Sequence, residues 1–504
     1  MIRMFAKDKK RKILFVSTEV DPFAKVGGLG SVMHSLSKAL NALGHDARVM
    51  IPRYLDIGNM ENIHMEYEGL LVPTDDEEGT EIVCNVKKYT KNTEKGKPTT
   101  VYFLENMEYY EQRANVYGYA DDPIRWALLC RGVLEFLKVS DWVPDVIICT
   151  DWQIGFLPNY LKTMYQEHPK LSKISTIFSI HNLGYQGTFN HKYIQESEYD
   201  DGHSPVPALN DPRLMHINGL RRGIMYSDII NTVSPTYSRE IMEGEYGEGM
   251  DAILREKKSV VYGILNGIDY GMWNPLRDPM ITQTFSVDAL EKRMDNKVAI
   301  QQYFNIEENK DVFLVAIVSR LTTQKGFDLM MDGVLRSLLQ ELNMQLVVVG
   351  EGEEKYMKFF QELHDESPER VGAQLHFDHE LPRKIFSGAD AVLIPSLFEP
   401  SGLTQMEAMH YGTIPIVRKT GGLADTVIDY YPGNAKSTGF VFEKFDASSL
   451  LIAVVRAYEN FQNKTIWRKL QKTAMRRDFS WEYSAREYDK LIRASITMHQ
   501  NYAE

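Results

Sequence analysis

Two cations stand five residues apart in Ser319-Arg320-Leu321-Thr322-Thr323-Gln324-Lys325-Gly326, directly after the apolar run Val312–Val318. Arg offers a rigid planar fork of donors and Lys a compact point charge. Together they suit a diphosphate, above all one that gains charge as it leaves. On spacing alone a solvated surface pair competes with that reading. A second segment, Phe398-Glu399-Pro400-Ser401-Gly402-Leu403-Thr404-Gln405-Met406-Glu407, follows the strand-like Ala391–Ile394 and leads into a helical pattern. Pro400 and Gly402 shape the turn, and the N–H groups of Gly402, Leu403 and Thr404 can point at a phosphate. Glu399 stands at the mouth of that turn, and Glu407 lies about two helical turns further on.

The third segment, Lys25-Val26-Gly27-Gly28-Leu29-Gly30, lies between a first strand and a first helix. Glycine lets backbone approach a ligand closely, and a helix N-terminus favours anions. A tight structural turn explains the same residues about as well. The spacing is not G-x-G-x-x-G, which disfavours a nicotinamide oxidoreductase. Other polar residues also land at strand ends: Asp151-Trp152 after Val146–Cys149, His181-Asn182 after Ile174–Ser179, and Asn266-Gly267 after a short apolar stretch.

Alternating strands and helices must position these groups. Ile13–Ser17 reads as a buried strand, and Ser31–Leu43 as a helix with Val32, Leu36, Leu40 and Leu43 on one face. Strand patterns follow at Ala47–Ile51, Val101–Leu104, Val146–Cys149, Ile174–Ser179 and Ile229–Val233. The alternation restarts at Val312–Val318, with strands at Gln345–Val349, Ala391–Ile394 and Ile414–Val417, and helices near Leu329–Leu339, Lys355–Leu363 and Thr404–His410. Mostly parallel sheets covered by helices on both faces are expected, in two doubly wound α/β domains. Such sheets bind ligands at the carboxyl ends of their strands, so two of them side by side would make a cleft. The expected division is 1–270 and 271–482, with the stretch Gly271–Asp278 as linker and a C-terminal helix, 483–504, packing back on the first domain. Asp75–Thr80 and Thr90–Thr99 read as exposed loops or hairpins.

The totals exclude several classes. The 504 residues suffice for two or three domains at roughly 100–200 residues each. The formal net charge of −12 argues against a broad nucleic-acid partner. Three cysteines without C-x-x-C spacing do not form a disulfide framework, and with no membrane span or signal core a cytoplasmic protein is expected. No D-x-D-like cluster follows a strand, so no metal and no cofactor is expected.

The ordered motifs resemble the bacterial-type glycogen and starch synthases, retaining glucosyltransferases of the two-Rossmann GT-B architecture with a catalytic cleft between the domains. The resemblance runs from about Ile13 to the C-terminal helix. It is carried by K-V-G-G-L-G (25–30), D-W (151–152), H-N-L-G-Y-Q-G (181–187), N-T-V-S-P-T-Y-S-R-E-I (231–241), E-Y-G-E-G-M-D (245–251), L-N-G-I-D (265–269), S-R-L-T-T-Q-K-G (319–326), F-E-P-S-G-L-T-Q (398–405) and T-G-G-L-A-D-T-V (420–427). It implies ADP-glucose as donor and an α-1,4-glucan as acceptor. Arg320 and Lys325 would neutralise the departing diphosphate, and Glu399 would be the catalytic carboxylate, either as nucleophile or as electrostatic support for an oxocarbenium-like centre. Asp151 and His181 would line the sugar site, with Trp152 beside them. Asn266 would contact the sugar and Phe377 would flank the base. Lys25 and Gly28 would meet the donor from the opposite wall, and Gly402, Leu403, Thr404 and Glu407 would complete the donor site. The chain departs from the family pattern at three places: Ser31 where Asp is usual, Gln153 where His is common, and Ser401 where Cys is common. The resemblance also leaves open a transferase using UDP-glucose or another acceptor, and a homologue that binds without turnover.

Overall fold

The computed structural model describes residues 9–57, 62–92, 98–187, 200–331, 333–376 and 378–503. The chain forms two compact units: Met1–Val233 with Ser238–Ile264 and Trp481–Glu504, and Ser234–Tyr237 with Leu265–Ser480.

Among the described residues the first unit is built on nine strands: β1 Lys12–Val16, β2 Asp46–Pro52, β3 Ile63–Pro73, β4 Glu81–Lys91, β5 Thr99–Glu105, β6 Val146–Thr150, β7 Ser175–Ile180, β8 Ile229–Thr232 and β9 Val261–Gly263. They lie in the order β3-β4-β5-β2-β1-β6-β7-β8-β9. From β5 to β9 neighbouring strands pair in parallel, while β3 and β4 add antiparallel at one edge. The central strands β6 and β7 are buried along their whole length. Strands covered on both faces are apolar without alternation, which is why ILFV and VIIC announce themselves.

The C-terminal helix Trp481–Ala503 belongs to this unit. Trp481, Ala485, Tyr488, Ile492 and Ile496 recur at helical spacing, and all are buried in the first unit's core. It packs against the helix Gly28–Ala42, which begins three residues earlier than its apolar pattern suggests.

The second unit carries β10 Phe313–Val318, β11 Met344–Val349, β12 Val371–Gln374, β13 Ala391–Ile394, β14 Ile414–Arg418 and β15 Phe440–Phe442. Their order is β12-β11-β10-β13-β14-β15, all parallel. The chain therefore folds as two α/β units with Rossmann-like parallel sheets. The expected helix Leu329–Leu339 is broken into Asp328–Met331 and Val334–Glu341, because Gly333 takes a left-handed φ of 86° between them. The polar stretch Gly271–Asp278 is tied into the second unit. Trp273 meets the Tyr411 ring edge-on, and Tyr411 donates to Asp278 at 2.5 Å.

Among the described residues no helix is long and apolar enough to cross a membrane. Cys84, Cys130 and Cys149 are free and buried.

Candidate functional site

In the second unit the loop after β10 and the loop after β13 close on each other. Leu397 N–H donates to the Gln324 carbonyl at 2.8 Å, and Gln324 Nε2 donates to the Phe398 carbonyl at 3.3 Å. Gly326 makes that approach feasible. Its φ is 75°, and a Cβ there would run into the Pro395 carbonyl. The approach brings Lys325 Nζ to 2.6 Å from Glu399 Oε2, with the side chains only 16% and 8% exposed. Ser396 Oγ donates to the same carboxylate oxygen at 2.9 Å. Among the described residues Glu399 Oε1 makes no hydrogen bond.

This pair lines a cavity of about 60 Å³, whose wall also includes Gly402, Leu403 and Thr404. The helix Thr404–His410 starts there with no side-chain cap. Gly402 has a φ of 67°, the left-handed conformation that lets the turn reverse. A further pair of glycines supports Glu399 from behind. Gly422 N–H donates to the Glu399 carbonyl at 3.0 Å, and a Cβ at Gly421 or Gly422 would strike the Glu399 or Ser401 carbonyl. The T-G-G-L motif thus holds the backbone of F-E-P-S-G. The Ser401 hydroxyl is buried without a partner among the described residues.

Arg320 differs from Lys325 in exposure. It is exposed, does not line the cavity, and makes no side-chain hydrogen bond among the described residues. Asn266 is 6% exposed, and its Oδ1 is buried without a partner among the described residues. Glu407 is half-buried, yet desolvation pushes its carboxyl up to about 8, with Arg383 pulling in the opposite direction. Phe377 lies outside the described residues.

In the first unit two of the expected residues stand at the ends of neighbouring strands. Asp151 follows β6 and His181 follows β7. Asp151 takes a φ of 55°, unusual for a residue with a side chain and therefore strained. Its Oδ1 accepts from the His181 and Asn182 amides at 2.7 and 3.3 Å. Burial raises the Asp151 pKa against the pull of His181 and of those amides. Burial likewise lowers the His181 pKa, opposed by Asp151 and Glu19. The His181 ring meets Ser179 Oγ through Nε2 at 3.2 Å. Among the described residues Asp151 Oδ2 and His181 Nδ1 make no hydrogen bond. Trp152 is buried, with Gly219 and Gly187 closely packed against it.

The glycine loop after β1 is held by a residue the sequence reading passed over. Glu19, 3% exposed, accepts through Oε2 from the Val26 and Gly27 amides at 2.8 and 3.0 Å. Its Oε1 accepts from the Tyr117 hydroxyl at 2.6 Å. The available signal was an acid three residues beyond a buried strand, the rule that picked out Asp151. Lys25 is exposed and pairs with Asp21 at 3.0 Å. At Gly27 and Gly28 nothing lies within 4 Å of where a Cβ would stand. No group of three or more potential metal ligands comes together among the described residues.

Residues 12–256 match the family model described as "Starch synthase catalytic domain", and residues 300–471 match "Glycosyl transferases group 1". The glycogen synthase of Thermotoga petrophila is 40% identical over 492 residues, covering 96% of this chain and 99% of that protein. The glycogen synthase of Geobacillus stearothermophilus is 40% identical over 494 residues, covering 97% and 99%. Among solved structures, the catalytic domain of starch synthase IV from Arabidopsis thaliana, bound to ADP and acarbose, superposes with a TM-score of 0.82 at 30% identity, covering 97% of this chain and all of that one. With both units matched in order and nearly the whole length aligned, the chain belongs to the glycogen and starch synthase family of glycosyltransferases.

Proposed function

We propose that this chain transfers glucose from ADP-glucose to the non-reducing end of an α-1,4-glucan with retention of configuration. The observation that carries the site reading is the Lys325–Glu399 pair in a cavity walled by an uncapped helix start. The related Arabidopsis synthase holds ADP and acarbose, which supports a nucleoside diphosphate and a sugar as the two ligands.

Breaking the glucosyl–phosphate bond leaves positive charge at the sugar carbon and negative charge on the diphosphate. A carboxylate beside an ammonium matches that separation. Glu399 faces the developing oxocarbenium, while Lys325 and the amides of Gly402, Leu403 and Thr404 take the phosphate charge. Arg320, whose donors are unspent, adds a second cation to the diphosphate. Asp151 Oδ2 and His181 Nδ1 remain for sugar hydroxyls, together with Asn266, and Glu407 and Phe377 serve the nucleoside. Lys25 and Gly28 complete the donor contacts. The acceptor hydroxyl attacks from the face the diphosphate leaves, and a departing phosphate oxygen takes its proton. No separate base, metal or cofactor is needed in this scheme. The chain's three free cysteines fit the reducing conditions of a cytoplasm.

The test is incubation with glycogen and either ADP-glucose or UDP-glucose, following nucleotide release and chain growth. Transfer from ADP-glucose is expected. Preference for UDP-glucose would favour the second donor, a reading motivated by Ser31 at the end of the glycine loop. Binding without nucleotide release would overturn the enzymatic reading.

A further inference from the structure

Gln405 ends the F-E-P-S-G-L-T-Q segment and has no place in the scheme above, although it is fully buried on the wall of the Glu399 cavity. Its side chain folds back onto the turn that precedes its helix. Gln405 Nε2 donates to the Ser401 carbonyl at 3.2 Å and to the Gly402 carbonyl at 2.8 Å. It also donates at 3.0 Å to the hydroxyl of Thr426, on the helix Gly421–Thr426. That hydroxyl is itself committed as a donor, to the Gly422 carbonyl at 2.6 Å. Gly402 makes the fold-back possible, because a Cβ there would stand 2.5 Å from Gln405 Oε1.

The acceptors around it set the orientation of the Gln405 amide. A side-chain amide carries its hydrogens on nitrogen and none on oxygen. Two carbonyls and a hydroxyl whose hydrogen is already spent can only accept, so the nitrogen must face them. Oε1 is left buried without a partner among the described residues, a cost that a flipped amide would only increase. The consequence lies in the backbone. The peptide bonds after Ser401 and Gly402 are trans, and in a trans peptide the C=O and the next N–H point in opposite directions. With the Ser401 and Gly402 carbonyls turned toward Gln405 Nε2, the Gly402 and Leu403 amides are turned away from it. Both residues line the cavity, and among the described residues neither amide finds an acceptor.

We propose that Gln405 is a positioning residue that aims the Gly402 and Leu403 amides into the cavity, as a preformed pair of N–H groups for the diphosphate of the nucleotide-sugar. Successive N–H groups turned the same way make an anion-binding concavity. Fixed in advance, they need no reorganisation when charge arrives on the phosphate. The identity of the anion rests on the site reading proposed above; the hold of Gln405 on the turn does not. Thr426 gives the T-G-G-L-A-D-T-V segment a share in the same task, because its hydroxyl anchors the amide that steers the turn. A side chain of similar length without donors would release both carbonyls, and the two peptides would no longer be held in one orientation.

The test is equilibrium binding of ADP and of adenosine to the full chain, as wild type and as Gln405→Met. The wild type should bind ADP more tightly than adenosine. In Gln405→Met, which nearly keeps the buried volume, the Kd for ADP should rise by about 10-fold or more, the usual cost of losing a hydrogen bond to a charged group. The Kd for adenosine should stay within about twofold, because the nucleoside shares no partner with the two amides. A packing defect alone would weaken both ligands alike. Thr426→Val keeps the shape and removes the hydroxyl. It provides a second variant should Gln405→Met fold poorly, and it should reduce the preference for ADP in the same sense by a smaller factor. A preference unchanged in both variants, or a loss equal for ADP and adenosine, overturns the proposal. A wild type that binds ADP no better than adenosine overturns it too, and removes the diphosphate reading of the site with it.

Discussion

The loop after β1 and the loop after β10 hold corresponding places, each directly following a central strand of its sheet, and each carries lysine and glycine. Their glycines answer to different demands. In the later loop Gly326 is left-handed and pressed against the Pro395 carbonyl, so the fold itself excludes a side chain. In the earlier loop Gly27 has an ordinary φ of −135°, and neither it nor Gly28 has any protein atom near a would-be Cβ. The lysines differ in the same sense. Lys325 is mostly buried against Glu399, whereas Lys25 is exposed beside Asp21. Both loops are fastened by the chain, the earlier one by Glu19 on the Val26 and Gly27 amides, but only the earlier one keeps open space, around Gly27 and Gly28. Unused space beside glycine at a helix start is what a ligand needs.

The largest expected effect lies in the later loop. Lys325→Ala should remove about 2–4 kcal/mol of transition-state stabilisation, read as kcat/KM. It should also destabilise the fold by about 1–3 kcal/mol, because Glu399 loses its charged partner. Adding Glu399→Gln should restore most of that stability in urea titrations while leaving kcat low. A double variant as unstable as Lys325→Ala alone would mean that the pair does not hold the two loops together. Glu399→Gln on its own should lower kcat far more than it alters KM. A kcat within a few-fold of wild type would remove Glu399 from the chemistry.

Next comes Gly326→Ala. A left-handed alanine costs about 1–3 kcal/mol, and the clash with Pro395 forces the β13 loop aside. A fall in the urea midpoint and in kcat together is expected. An unchanged midpoint would show that the loop after β10 is as free as the loop after β1.

The two loops also differ in how readable they were. Arg320 and Lys325 stood out because cations directly after an apolar strand are easily seen, yet their difference in burial was not legible. Only the fold shows that Lys325 turns inward to Glu399, 74 residues away, while Arg320 stays exposed. Strands buried on both faces, such as Ala391–Ile394, fall where the apolar run placed them. The antiparallel strands β3 and β4, at one side of the first sheet, were missed as strands. β3 is mostly solvent-facing and β4 mostly half-buried, and polar residues interrupt the apolar ones in both, so no long apolar run marks them. Glu19 gave only a faint signal, an acid just beyond a buried strand, and its role shows only when two loop amides fold onto it. A buried hydrogen bond from Asn231 to Tyr488 spans 257 residues, and no local pattern can announce it.

A smaller effect, of opposite sign for stability and function, is expected at Gly28→Ala. The site is the first residue of a 15-residue helix with room for a methyl group. Alanine there should leave stability unchanged or raise it by up to about 1 kcal/mol. The donor KM should nevertheless rise several-fold, because the methyl group occupies space the diphosphate approaches. A variant more stable than wild type with unaltered KM would assign the open space to nothing but the turn.

The smallest structural effect belongs to Lys25→Ala. Its pair with Asp21 is exposed on both sides, at 44% and 33%, so losing it should change stability by no more than about 0.5 kcal/mol. Any kinetic change therefore reports on the ligand. If Lys25 meets the donor, its loss raises the donor KM and weakens the dependence of KM on ionic strength, since one screened attraction is gone. Its kcat should stay near wild type, because an exposed lysine held by a neighbouring carboxylate gains little as the bond breaks. Lys325 gains most at that moment, from its place in a partly desolvated cavity. If the two lysine variants lowered kcat equally, the contrast between a loop built for the reaction and a loop left open for binding would collapse.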